Sequence, residues 1–252
     1  MKMIIVAAGQ GTRLKPLTNQ IPKCMVKYKQ KPIIDYILKA TQDCGINKVA
    51  IVNGYKNKIL EDYLKGKKIN FFKNKKYHQT NMVYSLFCAK DFMDDDLIIS
   101  YSDIIYNKTI LHKLIESKNN FSVVVDKDWR QLWNLRMQNP LNDAETLKIK
   151  NNNIIEIGQI PNDYNDIEGQ YIGLIKIKKN IVEKVINFYE NLDKDILYDN
   201  KNFENMYMTS FIQKIIDNLM NVKPLYINGG WIEIDSLDDL KNLENINENF
   251  NL

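Results

Sequence analysis

Histidine and cysteine are scarce in this chain of 252 residues, and their scarcity disfavours several kinds of chemistry. The two histidines, His78 and His112, stand alone in the sequence. The three cysteines, Cys24, Cys44 and Cys88, form no CxxC pair, and an odd number argues against a disulfide framework. A zinc site and a Ser/His/Asp triad are therefore both disfavoured.

Long apolar runs and blocks of like charge are also missing. No apolar run approaches the length of a membrane helix, and the N-terminus does not read as a signal peptide. We therefore expect a cytoplasmic protein with no membrane partner. The 35 Lys and Arg residues are spread among 31 Asp and Glu residues. A nucleic-acid surface needs a basic stripe with interleaved aromatics, so we expect no nucleic-acid partner.

Apolar runs of strand length alternate with helical patterns through the first half of the chain. The strand patterns fall at residues 3–6, 49–52, 69–72, 97–101 and 121–125. Helical spacing falls between them, at residues 33–44, 59–64, 83–90 and 111–115. This alternation predicts an α/β fold, Rossmann-like, with a central mixed, mostly parallel sheet flanked by helices. In such sheets ligands lie beyond the carboxyl ends of the strands.

The second half predicts a hairpin near residues 147–157, a strand at 170–177, helices at 180–192 and 208–219, and a final helix after Asp235. No break in composition separates the halves. We therefore expect a single domain over residues 1–252. Within it, residues 1–125 are expected to bind nucleotide and residues 126–235 an acceptor, with residues 236–252 forming a C-terminal helix and tail.

The first two dozen residues carry the densest pattern in the chain. Small residues directly after the first strand allow a ligand to lie against backbone N–H groups. These small residues are Ala7, Ala8, Gly9 and Gly11. Hydroxyl and cationic donors follow, and such donors suit a polyphosphate. These donors are Thr12, Arg13, Lys15 and Lys23.

Two commoner phosphate-binding patterns do not fit this stretch. A dinucleotide fingerprint requires a third glycine where Leu14 stands, and Pro16 argues against an immediate long helix. The Gly-Lys-Ser/Thr ending of a Walker loop is absent. An NAD(P)-dependent oxidoreductase is therefore disfavoured.

The run AAGQGTRLKPLT at residues 7–18, with Pro22-Lys23 after it, resembles the signature of nucleotidyltransferases that make NDP-sugars and CDP-linked small molecules. The resemblance implies a GT-A-like fold, a magnesium cofactor, and Lys23 and Arg13 as cations acting on the phosphates. It also implies a set of nucleotide contacts. This set is Ala7, Ala8, Gly9, Gly11, Thr12, Arg13, Lys23, Gly54, Asn81 and Ser85.

Three carboxylates follow predicted strands or lie on them. Asp103 comes directly after the strand at residues 97–101, and Glu233 and Asp235 share one face of a short strand by period-two alternation. Hard oxygen ligands of this kind suit Mg²⁺. Each aspartate could equally cap a turn or a helix. The family resemblance implies that Asp103, which also counts as catalytic, and Asp235 bind the metal, with Glu233 as an additional ligand.

The acceptor is also suggested by resemblance. The string TNMVYSL at residues 80–86 resembles the cytidylyltransferase branch, which implies CTP as the nucleotide. Longer strings, among them DKDW at 126–129, QYIGL at 170–174 and residues 195–211, resemble members that act on phosphorylated L-glutamine. The resemblance then implies CDP-L-glutamine and pyrophosphate as products, for phosphoramidate modification of a capsular polysaccharide. Expected acceptor contacts are Trp129, Trp133, Arg136, Glu145, Glu204 and Trp231.

Other functions remain open at this point. Three tryptophans could form a box around choline, which favours a phosphocholine cytidylyltransferase. A sugar-1-phosphate nucleotidyltransferase is less favoured, because residues 156–159 read EIGQ where such members often carry Glu-Lys-Pro. A nucleotide-binding module without catalysis is a third alternative, which the presence of Lys23, Asp103 and Asp235 disfavours. The oligomeric state is expected to be a monomer or a homodimer.

Overall fold

The computed structural model describes residues 1–243, and the predicted polar tail from Asn245 onward lies outside the described residues. The strands are β1 (Lys2–Ala7), β2 (Lys27–Tyr28), β3 (Lys31–Pro32), β4 (Val49–Asn53), β5 (Ile69–Lys73), β6 (Leu97–Tyr101), β7 (Ile104–Tyr106), β8 (Phe121–Asp126), β9 (Leu147–Lys150), β10 (Asn153–Ile157), β11 (Gln170–Ile177), β12 (Lys223–Ile227) and β13 (Trp231–Glu233). The α-helices are α1 (Ile33–Asp43), α2 (Asn57–Tyr63), α3 (Met82–Phe87), α4 (Lys108–Glu116), α5 (Trp129–Arg136), α6 (Lys179–Glu190), α7 (Met208–Asn218) and α8 (Leu237–Leu243). Short 3-10 helices include Thr12–Leu14 and Lys23–Met25.

Seven strands form the central sheet, in the order β12-β8-β11-β6-β1-β4-β5. Every neighbouring pair is parallel except the two pairs that involve β11. The prediction of a mixed, mostly parallel sheet flanked by helices is confirmed. The carboxyl ends of β1 and β6 are neighbours at the centre of this order, and a parallel sheet opens its ligand crevice at such ends.

Apolar side chains on both faces of the sheet explain why the strands read as near-continuous hydrophobic runs. Along β1, alternate residues enter opposite cores: Met3 and Ile5 pack on the side of α1 and α4, and Ile4 and Val6 on the side of α3, α6 and α7. All four side chains are buried. The strand thereby fixes the position of the glycine-containing loop that follows it.

A two-stranded antiparallel ribbon of β7 and β13 lies beside the central sheet, and the sequence reading missed β7 and its pairing. Glu233 pairs with Ile104 in this ribbon, and the N–H of Ile234 donates to the carbonyl of Asp103 at 2.9 Å. The ribbon register therefore brings Asp103 next to Asp235, across more than half of the chain. In the part of the chain that the structure describes, no helix has the length and apolar character needed to cross a membrane.

Candidate active site

A cavity of about 300 Å³ opens at the carboxyl ends of β1 and β6. Nine of the ten expected nucleotide contacts line it, together with Asp103 and Asp235. Those nine are Ala7, Ala8, Gly9, Gly11, Thr12, Arg13, Lys23, Asn81 and Ser85. The structure therefore gathers residues that the sequence separates by more than 200 positions.

Lys23 occupies the floor of this cavity between two carboxylates. Its Nζ atom lies 2.6 Å from Oδ2 of Asp103 and also forms an ion pair with Asp235. Asp235 binds the Arg13 guanidinium through its second oxygen. Burial alone would lower the pKa of Lys23, but the attraction of Asp103 and Asp235 outweighs burial and raises it. Lys23 is therefore a permanent cation at neutral pH.

The two aspartates have the chemistry of a hard-cation site. Burial would raise the pKa of Asp235, but Lys23 and Arg13 lower it, so Asp235 is ionised. Oδ1 of Asp103 is buried and has no hydrogen-bond partner within residues 1–243. Two converging carboxylates with a free oxygen fit a divalent ion that takes its remaining ligands from phosphate and water. Among the same residues, no group of three or more His, Cys, Asp and Glu side chains is arranged to hold a metal.

Gly11 explains how Lys23 reaches this position. Gly11 has φ of +61°, and a Cβ atom there would lie 2.9 Å from Cβ of Lys23 and 3.1 Å from the Thr18 methyl group. Only glycine combines the left-handed conformation with so close an approach. The carbonyl of Gly11 accepts a hydrogen bond from the Thr18 hydroxyl at 2.8 Å, which holds the loop over the lysine stem.

Gly54 is the expected nucleotide contact that does not line the cavity. It lies behind the cavity wall, because a Cβ atom at this position would approach the Ala8 carbonyl to 2.9 Å and Cβ of Tyr77 to 2.6 Å. The N–H of the next residue, Tyr55, donates to the same carbonyl at 3.1 Å. The structure therefore gives Gly54 a supporting position behind Ala8.

Sequence reading missed Asn74, which orders the far wall of the cavity. Its amide is fully buried and donates to the Thr80 and Ser85 hydroxyls at 2.9 Å each. The side chain of Asn81 caps α3 by accepting from the N–H of Met82 at 2.8 Å. A single Asn after a strand is an ordinary turn signal, so no feature of the sequence marked Asn74.

A second cavity, of about 380 Å³, adjoins the first and shares Arg13, Asn81, Met82, Tyr101 and Asp235 with it. We call it the acceptor cavity. Of the expected acceptor contacts, Trp133, Glu145 and Trp231 line it, as does Glu233. Trp129, Arg136 and Glu204 are not among its lining residues.

Gly173 shapes one wall of the acceptor cavity. It sits in a bulge of β11 with φ of +87°, and a Cβ atom there would lie 2.6 Å from the Tyr101 ring. An isolated glycine in a strand pattern signals such a bulge, so this position could have been found from the sequence.

The tryptophans form a packed row, with one end at the cavity. Trp129 meets Trp133 edge-on at 5.7 Å between ring centroids, and Trp133 lies 6.0 Å from Trp231. Trp231 uses its indole N–H to bind Asp126 at 2.8 Å. The rings of Trp133 and Trp231 therefore reach the cavity, and Trp129 packs behind them. The three tryptophans do not form the three-sided box considered from the sequence.

Arg136 serves the ion-pair network behind the cavity. Its buried guanidinium bonds Asp239 at 3.0 Å and Glu233 at 2.6 Å. Asp239 in turn accepts from the backbone N–H groups of Asp235 and Ser236 at 2.9 Å each. Arg136 thus contacts carboxylates of its own chain and fixes the turn that presents Asp235.

Glu204 and Glu145 have opposite surroundings. The Glu204 carboxylate pairs with exposed Lys76 at 2.7 Å, outside both cavities, while its backbone carbonyl accepts from the N–H of Asn81 at 2.9 Å. Glu145 faces the acceptor cavity, where burial raises its pKa to about 7. Burial likewise raises the pKa of Glu233 to about 7, against the opposing effect of Arg136.

Comparisons with known proteins agree with this geometry. A family model described as nucleotidyl transferase matches residues 2–131. The chain is 54% identical to a CTP:phosphoglutamine cytidylyltransferase of Campylobacter jejuni subsp. jejuni serotype O:2, over 96% of this chain and 98% of that protein. It is 28% identical to a choline-phosphate cytidylyltransferase of Streptococcus pneumoniae over the full length of both. An inositol-1-phosphate CTP transferase structure from T. maritima shares the fold, with a TM-score of 0.73, 22% identity and coverage of 98% of this chain and 97% of that one.

Proposed function

This chain belongs to the nucleotidyl transferase family, and on that premise we propose that it transfers CMP from CTP to a phosphorylated small acceptor and releases pyrophosphate. The observation that best supports this proposal is that the two cavities meet at Arg13 and Asp235. Lys23 and Asp103 lie beside this junction. In this proposal residues 1–125 supply most of the nucleotide site. Residues 126–235 supply most of the acceptor site. Because its donor is CTP, we propose that the enzyme acts in the cytoplasm.

The proposed reaction is an in-line displacement. A phosphate oxygen of the acceptor forms a bond to the α-phosphorus of CTP, and the bond from that phosphorus to the oxygen bridging to the β-phosphate breaks. Pyrophosphate leaves with the electron pair. The nucleophile is already anionic near neutral pH, so the reaction needs no strong general base. Positioning and charge neutralisation by Lys23 and Arg13 then carry catalysis.

Asp103 and Asp235 are the residues that we propose to hold Mg²⁺. The unpartnered Oδ1 of Asp103 and the ionised state of Asp235 support this choice. When bound, the ion supplies positive charge beside the phosphates and helps to orient them. Arg136 binds Oε2 of Glu233 at 2.6 Å, so Glu233 would serve as a third ligand through Oε1.

We propose phosphorylated L-glutamine as the acceptor and CDP-L-glutamine as the product. The name of the 54% identical relative supports this choice, as does the polar lining of the acceptor cavity by Asp143, Glu145, Gln170 and Thr209. The second candidate is phosphocholine, which the Trp133 and Trp231 rings in the cavity and the 28% identical relative favour.

Pyrophosphate release from CTP and Mg²⁺ tests the proposal, with phosphoglutamine, phosphocholine and glucose-1-phosphate as acceptors in separate assays. The expected result is the highest kcat/KM with phosphoglutamine and formation of CDP-L-glutamine. Equal or faster release with phosphocholine would overturn the acceptor assignment. Release with none of the three would contradict the proposed reaction, provided that binding of CTP is first shown by calorimetry.

A further inference from the structure

Among the residues that the structure describes, one carboxylate of the acceptor cavity has no cationic partner. Four acidic side chains line it: Asp143, Glu145, Glu233 and Asp235. Asp235 pairs with Lys23 and Arg13, Glu233 pairs with Arg136, and Asp143 lies 3.9 Å from Arg136. Within residues 1–243, Glu145 forms no ion pair with Arg13, Lys23, Arg136 or any other basic side chain.

Gln170 holds the backbone of Glu145 from both sides. The N–H of Glu145 donates to Oε1 of Gln170 at 3.2 Å, and Nε2 of Gln170 donates to the carbonyl of Glu145 at 2.5 Å. Gln170 is itself fixed, because it is buried and pairs with Asp126 in the central sheet. A loop carboxylate is therefore positioned by a rigid strand, which is the arrangement expected of a binding group.

The neighbours of Glu145 suit a group that donates several hydrogen bonds. The Thr209 hydroxyl approaches its Oε1 atom to 3.5 Å, and Tyr207 lines the same cavity. The carboxylates of Asp143 and Asp199 add negative potential around it. A primary ammonium group carries three donors and a full positive charge, so it matches both features. A quaternary ammonium has no donor and would add no hydrogen bond to the Glu145 carboxylate.

We propose that Glu145 binds the α-ammonium group of the acceptor and that Gln170 is a positioning residue for Glu145. The inference rests on the proposed function and deepens it, because it makes a primary ammonium group a requirement for the acceptor. Glu145 thereby becomes the residue that separates amino-acid acceptors from choline or sugar acceptors carrying the same phosphate.

The test compares two acceptors that differ only in this group, phosphoglutamine and phosphorylated glutaramate, which lacks the α-amino group. With wild-type enzyme, CTP and Mg²⁺, we expect KM to be about 10- to 100-fold lower for phosphoglutamine, the range for a hydrogen bond between charged groups. In Glu145→Gln, KM for phosphoglutamine rises by that factor and KM for the glutaramate compound stays within about twofold. Gln170→Ala raises KM for phosphoglutamine more than it raises KM for the glutaramate compound, and so reduces the same selectivity.

Controls separate this role from general damage. Glu190→Gln removes an exposed carboxylate that pairs with Lys90, and both KM values should stay at the wild-type level. Affinity for CTP, measured by calorimetry, should be unchanged in Glu145→Gln. If that variant does not fold, Glu145→Asp keeps the charge but withdraws it by one methylene, and it should show an intermediate selectivity.

Unchanged selectivity in Glu145→Gln would overturn the proposal even if phosphoglutamine is the substrate. Loss of selectivity in Asp143→Asn alone would move the role to Asp143 and overturn it as well. If the wild-type enzyme uses phosphocholine and neither glutamine compound, the proposed acceptor and the ammonium assignment both fail. Turnover of phosphoglutamine by the wild-type enzyme, together with loss of selectivity in Glu145→Gln, would support both the proposed acceptor and the ammonium assignment.

Discussion

The Nζ atom of Lys23 lies 2.6 Å from Oδ2 of Asp103, although 80 residues separate them in the sequence. Asp235, a further 132 positions along, completes the cluster through its own ion pair with Lys23. The 3-10 helix at Lys23–Met25 carries the lysine, the turn after β6 carries the first aspartate, and the β7–β13 ribbon positions the second. Each residue therefore depends on a different element of the fold.

Asp103→Asn should lower kcat for pyrophosphate release by at least about 100-fold, because in the proposed mechanism it removes a charged Mg²⁺ ligand at the site of nucleotidyl transfer. Saturating CTP and acceptor isolate the effect on kcat, and titration with Mg²⁺ should show a weaker apparent affinity. Asp91→Asn, at an exposed position, serves as the control and should retain full turnover. Full turnover in Asp103→Asn would refute the metal assignment.

Arg136→Met should destabilise the protein by about 3–5 kcal/mol, the usual cost of removing one partner from a buried ion pair. The variant leaves the carboxylates of Glu233 and Asp239 without their cation and loosens the turn that carries Asp235. Urea unfolding followed by circular dichroism measures the loss. Turnover should fall with it.

Arg130→Met on the same helix is the matched control for Arg136→Met. Arg130 is exposed and stacks on the Tyr164 ring at 3.5 Å, a contact worth about 0.5–1 kcal/mol at an exposed site. Equal losses in the two variants would show that Arg136 has no special structural role. A raised acceptor KM in Arg136→Met without loss of stability would restore the acceptor contact expected from the sequence.

Gly11→Ala should lower kcat strongly, by more than its loss of stability explains. The added methyl group would meet the Lys23 stem at 2.9 Å and displace the amine from Asp103 and Asp235. The left-handed conformation itself costs about 1–2 kcal/mol for alanine. Gly229→Ala isolates that cost, since Gly229 has nearly the same φ, +64°, with open space around it. Calorimetry should show a small loss of stability in Gly229→Ala and a larger one in Gly11→Ala, which also breaks the ion pairs of Lys23, and only Gly11→Ala should lose turnover.

Glu145→Gln should stabilise the folded protein, and more so at pH 8 than at pH 4.5. Burial, with repulsion from Asp143 and Asp199, raises the pKa of Glu145 from 4.5 to about 7, although Thr209 opposes the shift. Between these values the folded state holds more protons than the unfolded state, so the contribution of Glu145 to stability falls as pH rises. Glutamine does not ionise, so the variant avoids this loss of stability at high pH.

Melting temperatures across this pH range measure the effect, with about 2–4 °C expected for each kcal/mol in a chain of this length. Glu190→Gln corrects for the loss of a carboxylate at the surface. A difference between Glu145→Gln and wild type that shrinks as pH rises would contradict the assigned direction.

Local sequence patterns were enough to predict most of the fold and most residues of the nucleotide cavity. Buried strands read as apolar runs, and the loop residues from Ala7 to Arg13 lie together in sequence, so β1 and its loop could be predicted together. Asn74 and Gln170 could not be found in this way. Each is an ordinary polar residue whose role depends on a partner that the fold brings close, Ser85 for the first and Glu145 for the second.

The contacts of the acceptor cavity were harder to predict, because the sequence does not tell in which direction a long side chain points. Arg136 reads as an anion-binding residue from its chemistry, but three carboxylates of its own chain surround it in the fold. Glu204 lies in a segment that lines the cavity at Tyr207, yet its side chain turns to Lys76. Residue type and spacing give no direction for such side chains, because that direction depends on contacts between distant segments.

The reversed direction of β11 has a consequence for redesign of the acceptor cavity. Because β11 runs against β6 and β8, its first residue, Gln170, stands at the sheet edge where those strands end. The segment between β8 and β11 leaves this end of the sheet and returns to it, so most of its residues can change without altering β1 or β6. Arg136 is the exception, because it fixes the turn that presents Asp235. Substitutions among the cavity-lining residues of this segment, such as Trp133, Asp143 and Glu145, should therefore change the acceptor cavity and leave the loop after β1 in place.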